Sequence, residues 1–310
     1  MATHTLEPTV FTRHGWFSRE NEPVLTIDPG DTVRLSPLDC WWSAGPHPVG
    51  SLPPDWPREA GWEEGTGHAL EGPVAVRGAE PGMVLEVRVG PLVPAGWGNT
   101  AAGGWPSPHN ARYGLEHEGA VLAWDLDRDT LTGRNQFGHR VALKPFLGVI
   151  GMPPDLPGRH STIPPRRTGG NLDCKDLVAG STLYLPIEVP GALFSAGDGH
   201  AAQGDGETGG TAIECPMELA ELTVGLRDDL PLTGPAARTA EGWLTLGLGD
   251  TLDEATADAL EGMFALLGRL HGVSRAEAFA LAGVVVDLRV TQLVNQVVGV
   301  HAVLPDGALG

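Results

Sequence analysis

Cysteine is scarce in this chain of 310 residues: Cys40, Cys174 and Cys215 stand far apart, odd in number and without a CxxC pair. That excludes a disulfide framework and points to a reducing, cytoplasmic location. Positive charge is also short. Twenty Lys and Arg stand against 39 Asp and Glu, a formal charge of −19. A chain this acidic is not expected to partner nucleic acid or an anionic membrane. No apolar run reaches the length of a membrane-spanning helix. The opening MATHTLEPTVFTRHGW lacks a charged segment followed by an apolar one, so no secretory signal is expected there. Tyr (2) and Phe (7) are few and Trp (9) dominates the aromatics. There is no internal repeat and no low-complexity stretch.

Glycine (44) and proline (27) are abundant, which favours many short strands joined by tight turns over long helices. Val24 to Val33 reads as a strand, a Pro-Gly turn and a second strand. Residues 73–77 and 84–89 alternate around a turn at Ala79–Gly82, and 121–137 reads as a hairpin. Residues 147–151, 183–189, 218–226, 242–248 and 284–290 read as further strands. Residues 94–113, with His109, are expected to be a lid-like loop. The Trp- and Pro-rich passage 38–62 is expected to be a loop that walls a pocket or meets a second copy. Helix signals come late. Thr251 and Glu254 form a capping box before apolar residues at helical spacing that end at Gly272. Ser274 and Glu277 open a second, short helix to about Leu281.

These elements predict a mainly β protein: a β-sandwich of two packed sheets with a C-terminal α+β portion, a helical hairpin. The Pro-rich segment 153–167 divides a β-rich half, 1–152, from a second half, 153–310. The two are expected to share strands as one intertwined domain. His160, Arg166 and Arg167 of that segment are candidates to offset the carboxylates of the central stretch 191–214.

The stretch around which the chain is organised is Gly191 to Glu214, GALFSAGDGHAAQGDGETGGTAIE. Asp198 and His200 at i, i+2 share one face of an extended segment. Asp205 and Glu207 repeat the spacing after a bend that glycine permits. One imidazole among several carboxylates suits a divalent cation that takes nitrogen and oxygen ligands. The competing reading is a solvated acidic loop. Asp173, entering a strand from Asn171-Leu172, is a further candidate ligand, or else an Asx turn.

GGNLD (169–173), LVAGSTLYLP (177–186), GALFSAGDGHAAQGDGE (191–207) and TAIE (211–214) together resemble the acetamidase/formamidase family. A His followed by GPV and GAEPG (68–82), a GVIG strand (148–151) and the closing DLRV-Q-V-N pattern (287–295) are similar as well. Met83 departs from the resemblance, which leads one to expect Asp there, and so does the passage 38–62. The resemblance implies a β-rich sandwich and hydrolysis of short linear amides to a carboxylate and ammonia. On that reading Asp173, Asp198 and His200 are the expected metal ligands. Glu207, Asp205 and Glu214 are the candidate catalytic carboxylates, and His68 and Gln203 the candidate substrate-binding residues. The cofactor is a divalent metal, zinc first, with calcium as a possible second ion. The partners are a small amide and further copies of the chain, as a homodimer or higher homo-oligomer. Two alternatives stand beside this: a β-sandwich that binds a cation or small ligand without turnover, and a thiol amidase using Cys174.

Overall fold

A computed structural model describes residues 1–47, 51, 56–63 and 65–309. Two large sheets dominate. The first has nine strands in the order Thr3–Thr5, Thr32–Leu35, Met217–Arg227, Val84–Pro94, Thr182–Pro186, Ala236–Arg238, Gly242–Gly249, Val298–Pro305 and Asp287–Gln292. Strands from before and after residue 152 therefore interleave. The second has six: Gly169–Asn171, Phe146–Gly151, Phe194–His200, Leu70–Val76 and Arg13–His14 in order, with Leu25–Ile27 running parallel to Leu70–Val76. A four-stranded sheet, Arg140–Ala142, Thr132–Asn135, Gly119–Asp127 and Trp97–Gly103, lies beside them.

The two large sheets pack face to face. Val33, Leu85, Val87, Leu185, Leu222 and Val224 of the first share one apolar core with Val74, Leu147, Ile150, Phe194 and Ala196 of the second. Alternation along the strands of the first sheet puts its residues on one inner face. Each large one buried contributes about 1.5–3 kcal/mol. The architecture is a mainly β sandwich, as the composition predicts.

The far end of the nine-stranded sheet carries the helical hairpin. Leu252–His271 begins at the expected capping box of Thr251 and Glu254 and stops at left-handed Gly272; Arg275–Val285 begins at that of Ser274 and Glu277. Ala255, Ala259, Met263 and Leu267 recur at helical spacing and pack on Val300, Ala302 and Leu304. Gly247 allows this close approach: a Cβ there would fall 2.1 Å from the carbonyl of Ala255.

Three expectations differ from the structure. Leu70–Val76 and Val84–Pro94 do not pair as a hairpin; their turn crosses from the six-stranded to the nine-stranded sheet. Alternation identifies a strand but not its partner. The supposed lid at 94–113 is the strand Trp97–Gly103 and the short helix Pro108–Tyr113, capped by Ser107. The last apolar run is not one strand: the helix continues to Val285, Val284 is 82% exposed, and the strand is Asp287–Gln292.

Candidate active site

The site lies where the six-stranded sheet meets the four-stranded one. Phe194–His200 runs antiparallel to Phe146–Gly151 on one side and Leu70–Val76 on the other. Glycines let the backbones approach: a Cβ at Gly197 would lie 2.1 Å from the Ala69 carbonyl, and one at Gly199 2.3 Å from that of Cys215. Glu214 joins as the antiparallel bridge partner of His200. Asp173 follows the strand Gly169–Asn171, and Glu207 arrives on the loop whose Gly206 pairs with Gln292.

Asp173, Asp198, His200, Glu207 and Glu214 are all buried. Nε2 of His200 lies 3.0 Å from Oε2 of Glu214 and 3.4 Å from Oδ1 of Asp198, and its Nδ1 lies 3.7 Å from Oδ1 of Asp173. Ligand atoms of Asp173, His200 and Glu207 fall within 4.8 Å of one another, and so do those of Cys40, Asp198 and Glu214. Asp173, Asp198 and Glu207 all adopt positive φ, 46°, 61° and 47°. That region is uncommon outside glycine, and such strain gathers at functional sites. Gly148 underlies the group. A Cβ there would sit 2.4 Å from Oδ2 of Asp198 and 2.6 Å from Oδ1 of Asp173.

Hydrogen bonds orient these groups from outside. Asn295 donates Nδ2 to Oδ2 of Asp173 at 2.5 Å, and the Ala212 N–H donates to Oε1 of Glu214 at 2.9 Å. Gln203 bridges Nδ1 of His200 (3.1 Å) and the Asp173 carbonyl (2.8 Å). With Nδ1–H donated to Gln203, Nε2 turns a lone pair toward two carboxylates, an arrangement that needs a proton or a cation between them. Oδ1 of Asp173, Oδ1 of Asp198 and Oε2 of Glu214 have no hydrogen-bond partner among the described residues, despite the closeness of Glu214 to His200. Those atoms face a shared space rather than a donor.

Burial dominates the electrostatics. It pushes Asp173 up to about 6 and Glu214 up to about 7, each partly opposed by His200. Burial, then repulsion from Asp173, pushes Glu207 well above the usual carboxylate range. Asp198 is the exception. Burial raises it, but His200 and His68 outweigh that and hold it near 2. Burial opposes the charge on His200, yet Glu214 and Asp198 raise it well above the ordinary imidazole value.

The structure thus brings together Asp173, Asp198, His200, Glu207 and Glu214. His68 stands at their edge, with Nε2 4.0 Å from Oδ2 of Asp198 and Nδ1 at 2.8 Å from the Thr162 hydroxyl. Asp205, a candidate catalytic carboxylate by its spacing, is not among them. Its carboxylate takes two bonds from Arg289 at 3.1 Å and pairs with Lys175 at 3.1 Å. Partial burial raises it, but those cations hold it below its ordinary value. Left-handed backbone at Gly206 (φ 88°) and Glu207 breaks the period of two, so Asp205 and Glu207 do not share a face. Arg166 donates to the carbonyls of Pro164 and Ser161, and Arg167 pairs with Glu188, so neither offsets the cluster.

Cys174 is fully buried, and burial pushes its thiol up to about 12. A thiol so protonated is a poor nucleophile. Cys174→Ala is expected to keep most of the activity; a loss of several orders of magnitude with the fold intact would restore the thiol route. Cys40, beside Asp198 and Glu214, was not anticipated as a neighbour of the site. It lies in the Trp-rich passage, of which 48–50 and 52–55 fall outside the described residues. Trp42 of that passage is buried and bonded to the Gly67 carbonyl at 2.8 Å.

The acetamidase/formamidase family profile matches residues 157–230, the span that carries Asp173, Asp198, His200, Glu207 and Glu214. The chain is 29% identical over 257 residues to a formamidase of Methylophilus methylotrophus, covering 66% of this chain and 62% of that one. It superposes on an acetamidase of Bacillus halodurans with a TM-score of 0.84 at 26% identity, over 98% of this chain and 97% of that one. For an acetamidase of Yersinia enterocolitica the TM-score is 0.86 at 26% identity, over 100% and 93%. The chain spans less than two thirds of the length of the curated relatives it matches, 65% and 62% for the first two. A motif-bearing segment, full-length structural agreement and sequence identity all point the same way: the chain matches the acetamidase/formamidase family in its central segment and shares the fold of solved acetamidases.

Proposed function

We propose that this protein hydrolyses short linear amides to a carboxylate and ammonia, with Glu207 as the proton carrier. The observation that carries the reading is the buried group of four carboxylates and one imidazole, with three carboxylate oxygens that have no hydrogen-bond partner among the described residues. Burying several like charges is costly unless a cation or protons compensate them. The donor set fits a divalent ion, zinc first, and its oxygen ligands suit calcium as a second ion. Asp173, Asp198 and His200 would hold it, with Glu207 near Asp173 and His200, and Glu214 and Cys40 near Asp198. When bound, such an ion supplies Lewis acidity, polarising a carbonyl and acidifying water.

The remaining chemistry falls to the chain itself. Hydrolysis forms a C–O bond from water, breaks C–N and delivers a proton to the leaving nitrogen. Ammonia leaves poorly without that proton. Burial and Asp173 hold the Glu207 carboxyl well above its usual range. This suits a group that accepts a proton from water and returns it to nitrogen. Gln203 and Asn295 fix His200 and Asp173, and the walls of the sandwich exclude bulk water. His68, oriented by Thr162, lines the edge where an amide would enter.

We place this reaction in a cytoplasmic homo-oligomer. All three cysteines are free. Phe279, Val284 and Leu288 expose apolar surface beside the edge strand Asp287–Gln292, a surface suited to a second copy. Among the described residues no helix is long and apolar enough to cross a membrane.

Ammonia release from formamide, acetamide and longer amides, measured on wild type and Glu207→Gln, tests the reading. Glu207→Gln keeps the size but cannot take the proton, so kcat should fall by roughly 10²–10⁴ with metal content unchanged. Wild-type kcat with full metal would remove Glu207 from the mechanism and leave Glu214 as the next candidate. A lowered metal content would make Glu207 a ligand. No ammonia from any amide would leave a cation-binding protein without turnover.

A further inference from the structure

Asn99 stands in the strand Trp97–Gly103, outside the segment that carries the acidic group. Its N–H donates to the Glu214 carbonyl and its carbonyl accepts from the Glu214 N–H, both at 2.8 Å. Glu214 is in turn the bridge partner of His200, and His200 is paired with Phe146. Directly opposed residues of antiparallel strands project to the same face, with Cβ atoms roughly 4.5–5.5 Å apart. Asn99, Glu214 and His200 therefore form one row of side chains across three segments. The 3.0 Å approach of Glu214 to His200 and the edge-on packing of Phe146 against His200 at 4.8 Å agree with that row.

Two further observations single out Asn99. It is 1% exposed, and its Nδ2 has no acceptor among the described residues. Leaving a buried amide donor unpaired is costly, so such a group is expected to have a partner in the working state. Asn99 also lines a cleft of about 260 Å³ together with His47, Trp97, Ala123, Asp125 and Gln136. Trp97 and Asn99 pair with Asp125 and Ala123, so these four share the face that carries Glu214. His47 closes the other side, its ring stacked on Trp56 at 3.5 Å and edge-on to Trp97 at 6.0 Å. One end of the cleft is thus the side chain next to Glu214; His47 and Trp97 form aromatic walls, and Asp125 and Gln136 add polar groups.

The chemistry of the row explains what such a donor would do. The neighbouring carboxylates are acceptors and can receive an amide substrate's N–H groups, but they repel its carbonyl oxygen, which gains negative charge as C–O forms. Lys or Arg in the same place would be captured by the carboxylates. A carboxamide donates without carrying charge. Resting on the amidase reading, we propose that Asn99 is a catalytic residue that donates Nδ2–H to the substrate carbonyl oxygen, with the acyl substituent seated in the cleft between His47 and Trp97.

The test uses Asn99→Ala and Asn99→Asp in the full chain as purified, with kcat and KM for ammonia release from formamide, acetamide, propionamide and benzamide. Removing one donor to a developing oxyanion lowers kcat by roughly 10²–10³. Both variants are expected to lose about that much in kcat, with smaller changes in KM. Metal content and melting temperature of Asn99→Ala should match wild type, because the bonds to Glu214 are made by the main chain. Activity of both variants within a few-fold of an active wild type would overturn the assignment. So would a parallel loss of metal or of melting temperature in Asn99→Ala, the mark of a merely structural residue. A wild type that turns over no amide would fail the amidase reading itself and carry this assignment with it. Active wild type beside equally active variants would fail Asn99 alone.

Discussion

Dialysis against a strong chelator is expected to abolish ammonia release and to lower the melting temperature, and added divalent cation to restore both. Asp173, Asp198, Glu207 and Glu214 surround a single imidazole, and all five are buried. With a cation removed, the group must take up protons or repel itself. Either response dismantles the arrangement that holds Glu207. A ligand that binds only the folded state stabilises it by about 2.7 kcal/mol at a hundredfold excess over Kd. With an unfolding entropy of roughly 2.1 cal/mol/K per residue, the melting temperature of a chain of 310 residues should fall by roughly 4 °C. Activity and melting temperature measured on the same stripped and reloaded samples decide it. Full activity in protein shown by elemental analysis to be metal-free would end the metal hypothesis and leave the cluster to proton chemistry alone.

Gly148→Ala is expected to be nearly as damaging, although it adds one methyl group. The new Cβ would lie 2.4 Å from Oδ2 of Asp198, 2.6 Å from Oδ1 of Asp173 and 2.9 Å from Cε1 of His200. None of these can retreat easily. Asp173 is tied to Asn295 at 2.5 Å, and His200 to Gln203 at 3.1 Å with Phe146 packed edge-on. Gly148 does not occupy the left-handed region, so the backbone itself would accept alanine. The effect is one of space inside the cluster. A displacement of about 1 Å at reacting groups can lower the rate about 10²-fold, and a loss of at least that size in kcat is expected here, with less metal bound. Circular dichroism and melting temperature establish that the sheet survives. Wild-type kcat and metal content in a folded Gly148→Ala would show that the carboxylates do not share the space above Gly148.

Much of this protein is legible along the chain because much of it is local. A capping box needs only residues three apart, and both boxes were found where Thr251–Glu254 and Ser274–Glu277 place them. Asp198, His200, Glu207 and Glu214 lie within 17 residues of one another and arrive with glycines that let strands approach. The same local reasoning misled where the backbone leaves the regular path. Asp205 and Glu207 have the spacing of Asp198 and His200, but the left-handed steps at Gly206 and Glu207 send Asp205 to Arg289 and Lys175.

Composition, alternation and capping determined that this is a mainly β chain closed by two late helices, and the density of acids around His200 marked the candidate site. Only the tertiary structure decided which strands are neighbours. It separated Leu70–Val76 from Val84–Pro94 and brought Asn99, 115 residues earlier in the chain, against Glu214. It also set Gly148 beneath Asp173 and Asp198, and Cys40 beside Asp198 and Glu214. The physical reason is that alternation specifies a strand's two faces and says nothing of its partner. Partners are chosen by the packing of a whole sheet, and a site built from cross-strand neighbours takes its residues from wherever those strands lie in the chain.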